Sequence, residues 1–195
     1  MPIGVLALQG DFREHIAVLE KLGVDAIEVR TLEQFNRCRG LIIPGGESTV
    51  IQKLAMNYEL FSPIQLAIKS GLPVFGTCAG LIMLADEILD GIPGQQGFGG
   101  LDISVRRNAF GNQLDSFETD LNFSGIDGVP VHAAFIRAPI VERVGERVDV
   151  LSKLDDGRVV AVRAGNKLGI AFHPEVTGET RIHALFLKMV DAAGN

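Results

Sequence analysis

The sequence predicts an α/β protein. It expects a single-domain three-layer sandwich over residues 1–195, with a mostly parallel central sheet, helices on both faces and an antiparallel meander near the C-terminus. Three observations predict it. Short apolar runs alternate with helix-like segments through the first half. Two later strand-like runs flank Asp155-Asp156-Gly157, a hairpin signal. A final segment with helical apolar spacing closes the chain.

Residues 3–8 form an apolar run suited to a strand buried on both faces. Asp11, with Glu14 three residues on, predicts the start of a helix over 12–22. Ile16, Leu19 and Leu22 give it an apolar stripe, and Gly23 ends it. Strands are expected at 26–29 and 41–43. Pro44-Gly45-Gly46-Glu47-Ser48 is a tight turn before a helix over 49–58. Ser62-Pro63 opens another helix that Gly71 closes. A fourth strand over 73–76 runs directly into Cys78.

Residues 91–100 contain five glycines and a proline, which predicts a loop. A strand resumes at 103–106, and residues 110–121 have no clear period. Strands follow at 148–154, 159–164 and 168–172, the last leading straight to His173. Ile182, Leu185, Phe186 and Met189 place a helix over 180–190. No linker, repeat or low-complexity tract interrupts the chain.

Composition narrows the function. Of 195 residues 47% are hydrophobic, which excludes disorder. A net charge of −6 without a basic cluster argues against nucleic acid as a partner. The start of the chain does not read as a secretory signal, and no apolar stretch approaches the ~20 residues of a membrane span. Two cysteines, Cys38 and Cys78, exclude a disulfide scaffold and fit a reducing cytoplasm. The cysteines and four histidines show no zinc spacing. His15, His132 and His183 read as surface or supporting residues, and Cys38 as a bystander.

The chemistry concentrates in Gly76-Thr77-Cys78-Ala79-Gly80 and His173-Pro174-Glu175. A strand turning sharply into a helix would hold the Cys78 sulfur at a helix N-terminus, where backbone N–H groups favour a thiolate. Residues at the carboxyl ends of neighbouring parallel strands share one crevice, so His173 can meet Cys78. Glu175 can then fix the imidazole tautomer, completing a Cys-His-Glu nucleophilic site. The Ala79 N–H and the Gly46 region are candidate oxyanion donors. Each motif alone has a plainer reading: a cysteine among apolar residues is commonly a small core hydrophobe, and His-Pro-Glu can merely end a strand. Two flanking glycines are not what a core cysteine needs.

The order of these motifs resembles the class I (triad-type) glutamine amidotransferases. The nearer resemblance is to the glutaminase subunits of pyridoxal 5′-phosphate synthases. It rests on Leu8-Gln9-Gly10-Asp11-Phe12-Arg13-Glu14-His15, Pro44-Gly45-Gly46-Glu47-Ser48-Thr49, Gly76-Thr77-Cys78-Ala79-Gly80, Arg107-Asn108-Ala109-Phe110-Gly111, Asp115-Ser116-Phe117-Glu118, Phe135-Ile136-Arg137-Ala138-Pro139 and Phe172-His173-Pro174-Glu175. These blocks span almost the whole chain. Arg106, Ala109 and Val50 depart from the pattern, where an acidic residue, Ser and Thr are usual.

The resemblance implies a flavodoxin-like sheet and hydrolysis of L-glutamine to L-glutamate and ammonia. It implies that Gly46, Glu47, Ser48, Arg107, Ile136 and Arg137 contact substrate, and that Gln9 and Gly10 face a partner subunit. That partner is a (β/α)8-barrel synthase that uses the ammonia to build pyridoxal 5′-phosphate. The glutaminase half needs no metal or bound cofactor. Two alternatives remain open at this point: a cysteine peptidase or γ-glutamyl hydrolase on the same fold, and a non-catalytic flavodoxin-like binding module.

Overall fold

The computed structural model describes residues 1–107 and 116–194. The motif residues Asn108, Ala109, Phe110, Gly111 and Asp115 lie outside the described residues. Strand β1 (Ile3–Leu6) is followed by helix α1 (Phe12–Lys21), β2 (Ala26–Val29), a one-turn α2 (Leu32–Phe35) and β3 (Gly40–Ile43). Then come α3 (Ser48–Asn57), α4 (Phe61–Lys69), β4 (Val74–Thr77) and α5 (Ala79–Leu84). Strands β5 (Ala85–Leu89), β6 (Leu101–Arg106), β7 (Ser116–Leu121), β8 (Val131–Ile136), β9 (Ile140–Val144), β10 (Asp149–Lys153), β11 (Val159–Ala164) and β12 (Lys167–Ile170) follow. Helices α6 (Pro174–Thr177) and α7 (Arg181–Ala193) end the chain.

Among the described residues, ten strands form one sheet. Its path is β2-β1-β3-β4-β12-β11-β9-β6-β5, with β10 paired to β11. The run from β2 to β12 is parallel, as is β5 with β6. The pairs around β11 and β9 are antiparallel. Every residue of β1, β3 and β4 is buried, as strands covered on both faces must be.

Neighbouring residues of β4 show the layers. The Phe75 ring packs on Phe186 of α7 and edge-on to His15 of α1. Gly76 faces the other way, toward the Gly80–Leu81 backbone of α5. Alternation along a strand therefore puts α1 and α7 on one face and α5 on the other. Helix α5 in turn packs against α3.

Strands β7 and β8 form a separate antiparallel ribbon. The stacked Phe117 and Phe135 rings, 4.8 Å apart, hold its two strands together. Phe135 also meets Phe172, which docks the ribbon near the end of β12. No helix among the described residues is long and apolar enough to cross a membrane.

Several expectations are corrected here. Asp11 precedes α1 but its side chain makes no capping hydrogen bond; the carboxylate turns toward His173 instead. The α2 turn, with its Thr31–Gln34 capping box, was not expected. Neither were β5, β7, β8, β9 and α6. Of the two readings left for His15 and His183, surface or supporting, burial removes the first: both are fully buried.

Candidate active site

The register of two parallel strands brings the site together. In β4 and β12, Thr77 pairs with Ile170, so both chains leave the sheet at the same end. Cys78 follows Thr77 immediately. His173 comes three residues after Ile170, and its N–H donates to the Ala134 carbonyl of β8 at 2.9 Å. Pro174 then starts α6 and sets Glu175 in its first turn.

Cys78 is held in an unfavourable backbone conformation, φ 50° and ψ −103°. For a residue with a Cβ this costs about 1–3 kcal/mol, which the surrounding structure must outweigh. The flanking glycines explain how the turn is made. A β-carbon on Gly76 would lie 2.5 Å from the Gly80 carbonyl carbon, and one on Gly80 would run into the Ile43 carbonyl. Only bare backbone lets α5 fold back this tightly over β3 and β4.

His173 and Glu175 are both buried. The His173 Nδ1–H donates to Glu175 Oε1 at 2.7 Å, which leaves Nε2 for the sulfur. Burial opposes charge on this imidazole. The hydrogen bonds it donates to Cys78 and Glu175 outweigh that, and raise its pKa from the ordinary value to about 10. Glu175 is pushed above the usual carboxylate range by burial, with the His173 hydrogen bond pulling it back. Asp11 adds a second carboxylate, its Oδ2 3.6 Å from His173 Nδ1. Among the described residues, Asp11, His173 and Glu175 are also the one group able to hold a metal ion. The 2.7 Å hydrogen bond already engages the ligand atoms of two of them.

A cleft of about 270 Å³ opens onto the sulfur. Cys78, Ala79 and His173 line it together with the expected contact residues Gly46, Glu47, Ser48, Arg107, Ile136 and Arg137. Arg107 donates to Glu47 Oε1 at 3.0 Å and to Gln95 Oε1 at 2.7 Å. Gln95 also donates to Ser48 Oγ at 2.9 Å. The Ile136 carbonyl stands 4.0 Å from the sulfur, next to Arg137 at a positive φ of 47°. Glu175 lies behind His173, outside the cleft wall.

Gln9 and Gly10 sit under the Gly45–Gly46 turn. The Gln9 side-chain oxygen Oε1 accepts the Glu47 N–H at 2.7 Å. Gly46, at φ 145°, and Gly10, at φ 94°, take conformations closed to most other residues, and a β-carbon on either would strike the facing segment.

Sequence reasoning missed Gln95, whose loop has no periodicity and whose partners are distant in the chain. It misread Asp11, because a helix-start residue and a site carboxylate look alike in sequence. Arg106 does not line the cleft: its guanidinium pairs with Glu142 at 2.6 Å and with Asp90. Cys38 packs over Gly4 and is remote from this chemistry; burial pushes its thiol up to about 11.

This fold and cleft are those of a glutamine amidotransferase. A solved structure described as a glutamine amidotransferase superposes with a TM-score of 0.91 at 47% identity, covering 98% of this chain and all of the other. The chain belongs to the SNO glutamine amidotransferase family, which matches residues 5–192. A relative from Leifsonia xyli subsp. xyli, named pyridoxal 5'-phosphate synthase subunit PdxT, is 60% identical over 188 residues, 96% of this chain and 95% of its own. One of the same name from Clavibacter sepedonicus is 59% identical over 192 residues, 98% and 92% of the two chains. A Thermoplasma acidophilum protein assigned to GMP synthase shares the fold, with a TM-score of 0.71 at 15% identity over 98% of this chain and 94% of its own.

Proposed function

We propose that this chain is the glutaminase subunit of a pyridoxal 5′-phosphate synthase. It hydrolyses L-glutamine and passes the ammonia to a synthase subunit, in a reducing cytoplasm where Cys78 stays reduced. The names of its relatives support the pathway. The observation that carries the chemistry is the strained Cys78 elbow facing an imidazole whose other nitrogen is hydrogen-bonded to Glu175.

Arg107 binds the α-carboxylate of glutamine, for which a guanidinium fork is suited. Glu47 and the Ile136 carbonyl are placed to meet the α-ammonium. The Cys78 thiolate attacks the side-chain amide carbon, and the oxyanion forms against the Ala79 N–H and the Gly46 turn. His173 gives its proton to the departing nitrogen, and the C–N bond breaks to leave a γ-glutamyl thioester and ammonia. His173 then takes a proton from water, whose oxygen attacks the thioester. Glutamate leaves and the thiolate is restored. Glu175 keeps the imidazole oriented through both steps. Gln9 and Gly10, beneath the Gly46 turn, are where the partner synthase, a (β/α)8 barrel, would act on the oxyanion site.

The test is ammonia release from glutamine, with and without the synthase subunit, for wild type and Cys78→Ala. The alanine variant is expected to be inactive in both conditions. Retained glutaminase activity in it overturns the assignment.

A further inference from the structure

Behind Glu175 lies a second layer of buried polar groups that the reaction above does not use. His15 of α1 and His183 of α7 are fully buried. His15 Nδ1 is 2.8 Å from His183 Nε2, and His15 Nε2 is 3.1 Å from Thr77 Oγ1, on the residue preceding Cys78. Two buried atoms in this cluster have no hydrogen-bond partner: Glu175 Oε2 and His183 Nδ1. His15 Nε2 stands 3.7 Å from that orphan carboxylate oxygen.

The two orphans together fix the protons. Burial and the neighbouring His183 and His173 hold His15 well below the ordinary imidazole range. Burial lowers His183 to about 4. Both rings are therefore neutral at physiological pH, and each carries one N–H. A buried lone pair without a partner is tolerated better than a buried N–H without one. His183 thus keeps its proton on Nε2 and donates it to His15 Nδ1. That forces the His15 proton onto Nε2, the nitrogen between Thr77 Oγ1 and Glu175 Oε2.

We propose that His15 is a positioning residue for Glu175: its single N–H, locked in place by His183, steadies the buried carboxylate oxygen that has no hydrogen-bond partner. The inference rests on the nucleophile reading and deepens it. An N–H dipole in a dry interior favours the ionised carboxylate, and the ionised carboxylate favours imidazolium at His173. Imidazolium at His173 in turn favours thiolate at Cys78. The charged and titratable groups facing this chain of contacts are His173 and Asp11 on the cleft side, His183 from α7, and Glu179 beyond His183.

The experiment follows alkylation of Cys78 by iodoacetamide against pH in the full chain, resolved by mass spectrometry of the Cys78 peptide. His15→Phe keeps a ring but no donor. His15→Gln returns an amide nitrogen at the reach of Nε2. The apparent pKa for Cys78 alkylation is expected to rise by about one unit in His15→Phe, roughly a tenfold slower reaction at a pH below both values. His15→Gln should recover most of it. A folded His15→Phe variant with the wild-type profile overturns the proposal. So does a shift that His15→Gln leaves unreversed, which would assign the effect to packing. If the wild-type Cys78 itself titrates as an ordinary thiol, the nucleophile reading fails, and this inference with it. Long-range nitrogen–proton NMR on the wild-type chain needs no variant: His15 is expected as the neutral Nε2–H tautomer near pH 7, and either an Nδ1–H tautomer or an imidazolium there overturns the proposal.

Discussion

No side chain fits between Gly45 and His173. A β-carbon built on Gly45 would overlap the imidazole Cε1 and come within 3.1 Å of Nδ1, the atom that bonds Glu175. Backbone at position 45 is thus one wall of the slot that holds the ring.

Gly45→Ala should therefore push the imidazole off its line to the sulfur. Displacing a catalytic group by about 1 Å can cost on the order of 10² in rate. Glutaminase kcat is expected to fall by about that factor while the thermal unfolding midpoint changes little. Steady-state kinetics with a melting curve on the same preparation checks both. A variant with wild-type kcat contradicts the slot.

Gln95 braces Arg107 and Ser48 without touching Cys78 or His173. Gln95→Ala should act on glutamine binding and spare the chemical step. A lost hydrogen bond to a charged group is worth about 1.5–3 kcal/mol, so KM should rise roughly 10- to 100-fold with kcat near wild type. Equal loss in kcat would show that Gln95 acts on the transition state instead.

Gly80 tests the elbow as a structural device. Gly80→Ala drives a methyl into the Ile43 carbonyl, in a place where neither backbone can give. A loss of about 1–3 kcal/mol is expected from urea denaturation. Gly194→Ala is the control, because its β-carbon would meet nothing closer than 3.7 Å. It should stay within about 0.5 kcal/mol of wild type.

His183 makes stability depend on pH. Its folded pKa, about 4, lies below the unfolded value near 6.5. In that window the unfolded chain binds more protons, so stability rises with pH and is lost as pH falls from 6.5 toward 4. The loss from this one residue is on the order of 3 kcal/mol. His183→Leu should flatten that part of the curve, as read from denaturation midpoints between pH 4 and 7.

The legible parts of the sequence were those governed by local rules. Apolar runs and turn glycines announced the strands β1 to β4 and the helices α1, α3 and α4. The Gly76–Gly80 pentapeptide announced Cys78 because its glycines answer a local steric demand. What escaped depends on distant partners. Strands β8 and β9 lack turn signals as clear as Asp155-Asp156-Gly157, and β5 follows α5 without a break. The His15–His183 pair joins residues 168 apart in sequence, and nothing in either neighbourhood distinguishes them from surface histidines. Asp11 was seen as a helix start because the competing attraction, His173, lies at the other end of the chain.

The ribbon of β7 and β8 has a consequence for how new specificities can arise. It brings Ile136 and Arg137 to the cleft wall, yet its strands pair only with each other among the described residues. The groups that attack the amide stand on the large sheet. The two supports meet where the Ala134 carbonyl of the ribbon holds the His173 N–H. Changes at the cleft end of the ribbon, at Ile136 and Arg137, can reshape what is admitted, whereas changes at Ala134 or Phe135 reach the bond-breaking imidazole.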